Sequence, residues 1–367
     1  MSGKAKNLLL AGGGTGGHVF PALAVAQEWL RRATGGSPEN ERGVVFVGTV
    51  RGLEAKLVLQ AGLPLELIRV AGLKGIGGLK LFRNVAMLPA SLWDSERVLH
   101  RYRFHAAFGV GGYASGPMML LARMHSIPCV IFEPNAVPGL TNRILSRVAS
   151  RVACGFDATA SLFGAKAVAT GNPVRKEFFA APRKQPRRPF TLLITGGSQG
   201  AAAINRVVVD SLNLLAPRKN QLFIVHQTGE RDYNAIRVAY ARREFQAEVV
   251  PFIENMAERF AQADLIVCRS GAITVAEVSA AGRAAIFIPF GAATDAHQMR
   301  NAEAMQAVGA ARIITQDQLT PERLTSEIFP LLDQPQRIAD MEVRARSLAR
   351  PRAVEDIVDL LEEAARK

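Results

Sequence analysis

The chain has 367 residues, of which 49 % are hydrophobic and 21 % charged. That length suggests two domains and buries sizeable cores without disulfide staples, while the composition excludes intrinsic disorder and the lack of repeats excludes collagen-like or coiled-coil architecture. Lysine and arginine number 45 against 32 acidic residues, a net charge of +13, which points to nucleic acid, anionic lipid or phosphorylated substrates as partners, beside the plainer reading of a basic solvated surface.

Asn7 to Ala11 reads as a buried strand, followed by the turn Gly12-Gly13-Gly14-Thr15-Gly16-Gly17 and a helix from His18 to Arg32. Pro21 falls in the first helical turn, where proline is tolerated. Val19, Ala22, Ala26, Trp29 and Leu30 form its apolar stripe, and Gly35-Gly36 stop it. Val44 to Val47 is the next strand, which opens a doubly wound α/β fold. The apolar run Leu8-Leu9-Leu10 is too short for a signal peptide. Ala106 to Ala122 is uncharged over 17 residues but carries four glycines, Ser115 and Pro117; a membrane span needs about 20 mostly apolar residues. The expectation is a chain in the cytosol or on a membrane surface facing it.

The pattern restarts at Phe190 to Thr195, with the turn Gly196-Gly197-Ser198-Gln199-Gly200 and a helix from Ala201 to Leu214. Leu222–Val225, Val249–Phe252, Leu265–Cys268 and Ala285–Ile288 read as further strands. Between the two halves, residues 181–189 hold three prolines and four basic residues and read as a linker. A hinge is expected near Gly171-Asn172-Pro173-Val174. The C-terminal stretch reads as two helices broken at Arg350-Pro351.

Gly12, Gly14 and Gly17 match GxGxxG, a weak signal alone. A dinucleotide site expects an acid after the second strand, but that strand runs into Gly48-Thr49-Val50. Gly109-Val110-Gly111-Gly112-Tyr113 and the turn at Gly196 repeat the device. Three such turns suggest several phosphates to hold, or several tight crossovers. His18 begins a helix, whose N-terminus keeps an imidazole neutral and able to accept a proton; a capping histidine is the plainer reading. Glu277 stands in the helix after Ser270-Gly271, where a carboxylate can accept two hydrogen bonds from a ribose diol. Gln298 follows another strand end and suits sugar hydroxyls. Cys129, Cys154 and Cys268 form no CxxC and read as buried free thiols of a reducing compartment. The six histidines show no metal-ligand spacing.

Taken in order, GGGTGGH at 12–18, GVGGYASGP at 109–117, NAVPGLTNR at 135–143, GNPVR at 171–175, GGSQGA at 196–201, SGAITVAE at 270–277 and DAHQ at 295–298 resemble the MurG family of glycosyltransferases over nearly the whole chain. The resemblance implies the GT-B architecture: two Rossmann-like domains with parallel sheets facing a cleft. An N-terminal acceptor- and membrane-binding domain would take residues 1–173 plus 350–367, and a UDP-GlcNAc-binding domain residues 174–349. It implies an inverting transfer of GlcNAc from UDP-GlcNAc to the MurNAc 4-hydroxyl of lipid I, giving lipid II for peptidoglycan. Donor contacts would be Thr15, Gly16, Gly17, Asn135, Arg175, Ser198, the backbone of Ile253, the helix start Ala272, Ile273, Thr274, Val275 and Ala276, then Glu277 and Gln298. Gly13, Gly14, Gly111, Gly112 and Tyr113 would face the acceptor, and His18 would be the general base. In Glu133-Pro134-Asn135 the family more often has Gln in the middle, and proline removes both that amide and a backbone donor.

The lipid acceptor gives the positive charge a target. Ile76, Leu79 and Phe82 would dip into a bilayer while Lys74, Lys80 and Arg83 meet anionic headgroups, at the cytoplasmic face of the bacterial inner membrane. Other cell-wall and division proteins would be further partners. No Asp-x-Asp motif is present, so neither a metal nor another cofactor is required, and no nucleic acid is expected. A UDP-GlcNAc 2-epimerase of the same architecture, a nicotinamide enzyme and a nucleic-acid binder are the competing readings.

Overall fold

The computed structural model describes residues 6–13, 16–33, 41–49, 54–70, 87–180, 189–197, 199–291 and 296–366. The chain divides into two compact units, Met1–Val174 with Arg352–Lys367, and Arg175–Pro351. The linker reading at 181–188 lies outside the described residues.

In the first unit, strands β1 (Lys6–Ala11), β2 (Arg42–Gly48), β3 (Leu65–Leu67), β4 (Phe104–Gly109), β5 (Cys129–Glu133), β6 (Arg151–Cys154) and β7 (Ala167–Ala169) form a parallel sheet in the order β3-β2-β1-β4-β5-β6-β7. Register is set by pairs such as Leu8 with Val44 and Leu10 with Phe108. Helices cover both faces, so the strands read as continuous apolar runs rather than alternating ones. Leu8 and Leu10 point into one core, with Val19, Trp29, Phe108 and Phe132. Leu9 and Ala11 point into the other, with Met118, Met119 and Ile131.

The helices of this unit are α1 (Gly16–Arg31), α2 (Glu54–Gln60), α3 (Leu88–Arg101), α4 (Ser115–Met124), α5 (Leu140–Leu145), α6 (Asp157–Phe163) and, returning from the far end of the chain, α15 (Ala353–Arg366). α15 buries Ile357, Val358 and Leu361 in the first core. Its polar side is pinned by Arg32 to Asp359 at 2.6 Å and by Arg42 to Glu362 at 2.8 Å.

The second unit has β8 (Phe190–Thr195), β9 (Leu222–Gln227), β10 (Ala247–Val250), β11 (Leu265–Cys268), β12 (Ala284–Phe287) and β13 (Ala311–Ile313), ordered β10-β9-β8-β11-β12-β13 and again parallel. Its helices are α7 (Lys176–Phe179), α8 (Ala202–Leu215), α9 (Tyr233–Arg242), α10 (Met256–Gln262), α11 (Ala272–Ala281), α12 (Ala296–Ala307), α13 (Pro321–Asp333) and α14 (Pro335–Ser347). The strand expected at Val249–Phe252 begins earlier and ends at Val250. Pro251 has no N–H to continue the ladder, and Phe252 is exposed. The break expected at Arg350-Pro351 falls between α14 and α15.

Candidate active site

In the first unit, β1 and β4 are neighbours whose onward connections run to opposite sides of the sheet. The turns after them therefore meet at its switch point, where open α/β sheets bind ligands. The two turns pack closely. A Cβ on Gly112 would stand 2.5 Å from the Gly13 carbonyl oxygen, and one on Gly12 would stand 2.1 Å from Val110 Cγ2. The Ser115 hydroxyl reaches the carbonyl oxygens of Ala11 and Gly111, at 2.5 and 2.9 Å. These glycines are needed for close packing of the two turns, whatever ligand they meet.

The His18 ring lies in the space between them. Its Nδ1 is 3.2 Å from the Gly13 carbonyl oxygen. A carbonyl only accepts, so this contact places the proton on Nδ1 and makes Nε2 the basic nitrogen. Nε2 would be 3.2 Å from a Cβ on Gly111, so glycine there is what admits the ring. Burial lowers the pKa of His18 below its ordinary value, offset in part by the Gly13 carbonyl and by the carboxylates of Glu133 and Glu54. The side chain is neutral at pH 7, as a base must be before it acts. Tyr113 follows these turns and is exposed.

Asn135 is held by a buried carboxylate that sequence reasoning did not single out. Glu133 ends β5, and its Oε1 accepts from the Asn135 N–H at 3.0 Å and from Asn135 Nδ2 at 3.1 Å. Its Oε2 accepts from the Gly139 N–H and from Asn142 Nδ2, both at 2.9 Å. Pro134, the departure from the family pattern, uses its carbonyl, which accepts from Asn172 Nδ2 at 3.1 Å. A second unanticipated carboxylate, Glu54, is fully buried under the Gly13 turn. Neither had a local signal, because a glutamate at a strand end or helix start looks like any other.

The second unit repeats the arrangement at the junction of β8 and β11. Gly200 packs so closely on the next turn that a Cβ would lie 1.9 Å from the Thr228 carbonyl oxygen. Gly197 has φ +87 and open space beside it, and its carbonyl accepts from Gln227 Nε2 at 2.8 Å. α11 starts after Gly271 with Ala272 and Val275 buried; the N–H groups of Ala272, Ile273 and Thr274 head the helix, where intrahelical acceptors run out and anions bind. Ala276 and Glu277 follow on the same helix. Burial raises the Glu277 carboxyl to about 7, with the Arg175 guanidinium pulling the other way. Arg175 heads α7 and lies over the Phe178 ring, 5.1 Å from its centroid.

Ile253 is buried in the loop beyond β10. Gln298, in the first turn of α12, accepts the Phe290 N–H on Oε1 at 3.0 Å, and its backbone carbonyl accepts from the Ser270 hydroxyl at 2.8 Å. The structure thus gathers Gly13, His18, Gly111 and Gly112 in one unit, and Arg175 with Glu277 in the other. Gly16 and Gly17 open α1 beside His18. Gly14, Thr15, Ser198 and the expected membrane residues Lys74, Ile76, Leu79, Lys80, Phe82 and Arg83 lie outside the described residues. Among the described residues, no three metal-ligating side chains converge.

Comparison with known proteins adds identity to this geometry. Residues 8–154 match the glycosyltransferase family 28 N-terminal domain and residues 191–357 its C-terminal domain. The chain is 44 % identical over 355 residues to the UDP-N-acetylglucosamine–N-acetylmuramyl-(pentapeptide) pyrophosphoryl-undecaprenol N-acetylglucosamine transferase of Syntrophus aciditrophicus, covering 96 % of this chain and 97 % of the relative. The protein of that name from Pelobacter propionicus is also 44 % identical, over 376 residues, covering 96 % and 98 %. The crystal structure of Acinetobacter baumannii MurG superposes with a TM-score of 0.81 at 36 % identity, covering 98 % of this chain and 99 % of that one. CalG4, the calicheamicin glycosyltransferase, superposes at 0.65 with 16 % identity, covering 98 % of each chain, and shares the fold alone. The two Rossmann-like units carry the GT-B architecture, and the chain belongs to glycosyltransferase family 28, within its MurG branch.

Proposed function

We propose that the chain transfers GlcNAc from UDP-GlcNAc to the MurNAc 4-hydroxyl of lipid I with His18 as general base, forming lipid II for peptidoglycan. The observation that supports the assignment of the base is the Gly13 carbonyl on Nδ1, which places the proton there and makes Nε2 the basic nitrogen. The hydroxyl oxygen attacks C1 from the face opposite UDP as Nε2 takes its proton. The C1–O bond breaks with its electron pair leaving on the diphosphate, through an oxocarbenium-like transition state. Arg175, Ser198 and the N-terminus of α11 stabilise that developing charge. Glu277 accepts the ribose hydroxyls, Ile253 meets the uracil through its backbone, and Gln298 and Asn135 read the sugar. Thr15, Gly16 and Gly17 lie along the donor, while Gly13, Gly14, Gly111, Gly112 and Tyr113 take the acceptor diphosphate. The first unit serves the acceptor and the second the donor. No step is assigned to a metal.

The acceptor's lipid tail requires a membrane surface. Support comes from exposed apolar side chains on adjoining helices of the first unit: Leu92 and Trp93 on α3, Leu120 and Met124 on α4, Leu140 and Ile144 on α5. Arg123 and Arg143 lie among them in sequence, as interfacial binding to anionic lipid requires. No helix among the described residues is long and apolar enough to cross a membrane. The reading is a peripheral protein of the cytoplasmic membrane face, with the segment from Lys74 to Arg83 as part of the contact. Serine at Ile76, Leu79 and Phe82 together weakens binding to anionic liposomes; undiminished binding removes that segment.

UDP release from UDP-GlcNAc, followed with labelled sugar and with or without a short-chain lipid I analogue, tests the whole. Acceptor-dependent release with label in a lipid II product is expected. Consumption of UDP-GlcNAc without any acceptor requirement overturns the transfer and favours epimerase-type chemistry.

A further inference from the structure

Glu54 is a fully buried carboxylate at the first position of α2. It belongs to none of the motifs described above. Its Oε1 accepts from both the N–H and the hydroxyl of Thr49, each at 2.8 Å. It also occupies space that two glycines leave open. A Cβ on Gly13 would lie 2.1 Å from Oε1, and a Cβ on Gly48 would lie 2.4 Å from Cγ. Both glycines therefore make room for this side chain, and any other residue at either position would collide with it. Removing a carboxylate from water carries a heavy penalty that a neutral side chain of the same shape would avoid. The charge at this position therefore calls for a function.

The neighbouring geometry supplies one. The carboxylate abuts Gly13, and the Gly13 carbonyl is the group that holds His18 Nδ1. We propose that Glu54 is a positioning residue for the transfer reaction: it fixes the Gly13 turn so that its carbonyl orients His18, and its negative charge stabilises the imidazolium that forms when Nε2 takes the acceptor proton. The proposal rests on His18 being the base. Among the described residues Glu133, at the end of β5, also acts on His18, and more strongly than Glu54. It accepts four hydrogen bonds from Asn135, Gly139 and Asn142, so that its charge remains in Glu54→Gln and only the share due to Glu54 is lost. Glu54 accepts two bonds from Thr49, after β2, and packs its carboxylate against Gly13. Its action is through the Gly13 carbonyl and through space, not by contact with substrate.

Glu54→Gln is the discriminating substitution. The amide oxygen can still accept from Thr49 and the shape is kept, so the fold is expected to survive while the charge is lost. In the full-length protein with UDP-GlcNAc and a short-chain lipid I analogue, kcat is expected to fall about tenfold or more, since a misplaced or weakened base loses part of the 10²–10⁴ that such a group supplies. The donor KM stays within about twofold, and the acid limb of the kcat profile moves to lower pH, because the imidazolium is less well supported. Titration of the His18 ring by nitrogen NMR, without substrate, reports the same shift directly. Glu54→Asp keeps the charge but not the reach. It should restore the ring's titration toward wild type, with kcat only partly recovered.

A folded Glu54→Gln protein with wild-type kcat and an unmoved His18 titration overturns the proposal. An altered ring titration in Glu54→Gln, together with a loss of less than tenfold in His18→Ala, leaves Glu54 as the ring's electrostatic partner. It removes the base assignment instead.

Discussion

At His18 two influences compete. Burial disfavours the charged ring, while the Gly13 carbonyl and two carboxylates favour it. A base held neutral yet supported once protonated is suited to proton transfer near pH 7. His18→Ala is expected to lower kcat by about 10²–10⁴ with donor KM little changed; a loss below tenfold in steady-state assays removes the assignment.

Glu277 poses the reverse problem, since its carboxyl, at about 7, is protonated in a large fraction of molecules at neutral pH. Accepting two hydroxyl donors requires the ionised form. On the proposed ribose role, donor binding is expected to weaken as pH falls below about 7, with KM for UDP-GlcNAc rising toward tenfold per pH unit in the acid range. Glu277→Gln is expected to flatten that dependence and raise KM across it. A steep acid limb surviving in the variant would exclude Glu277 as its source. For folding the sign is opposite to that of a salt-bridged acid: a raised carboxyl favours the folded state below the unfolded value of 4.5, and the advantage is lost as pH rises through about 7.

Elements differed in how openly the sequence announced them. β1, β8 and β11 were legible because a short apolar run followed by a glycine turn or Ser-Gly admits few alternatives, and the helix after β1 carries a clear apolar stripe in Val19, Ala22, Ala26 and Trp29. The switch points were legible only in outline. Nothing local in the sequence says that Gly112 rests on Gly13, or that Gly200 rests on Thr228, since those approaches depend on strand order. Glu54 and Glu133 stayed hidden for the same reason: their partners are turns whose packing tertiary structure sets.

α15 shows what packing contributes at this scale. Its stripe, Ile357, Val358 and Leu361, is buried against residues more than 300 positions earlier, such as Trp29 and Leu10. Leu361→Ala is expected to destabilise the protein by roughly 2–5 kcal/mol, the range for emptying a core leucine site, read by thermal unfolding. UDP affinity of the second unit should be unaffected. At the head of the same interface, the Arg31 and Arg32 guanidinium groups draw Glu28 down to about 2. That pairing supports the fold above the unfolded carboxyl value of 4.5 and is lost as pH falls toward about 2. Glu28→Gln should reduce the acid sensitivity of unfolding, and an unchanged acid transition would count against the pairing.

For the whole molecule, the division into two units predicts separable responses to ligand. On the proposed donor site, UDP binding is expected to stabilise the second unit by about 2.7 kcal/mol at a hundredfold excess over Kd. Hydrogen exchange should then slow around Ile253 and Ala272–Glu277 while β1 to β7 keep their rates. Slowing confined to the first unit would move the donor site there.

The return of α15 to the first unit also sets an order on synthesis. A ribosome delivers residues 6–174 first, yet their core still lacks Ile357, Val358 and Leu361. Residues 175–351 form a unit complete in itself and emerge before α15. The unit begun first is therefore finished last, and until then it shows the nascent-chain chaperones an open apolar face on α1 and the strands behind it.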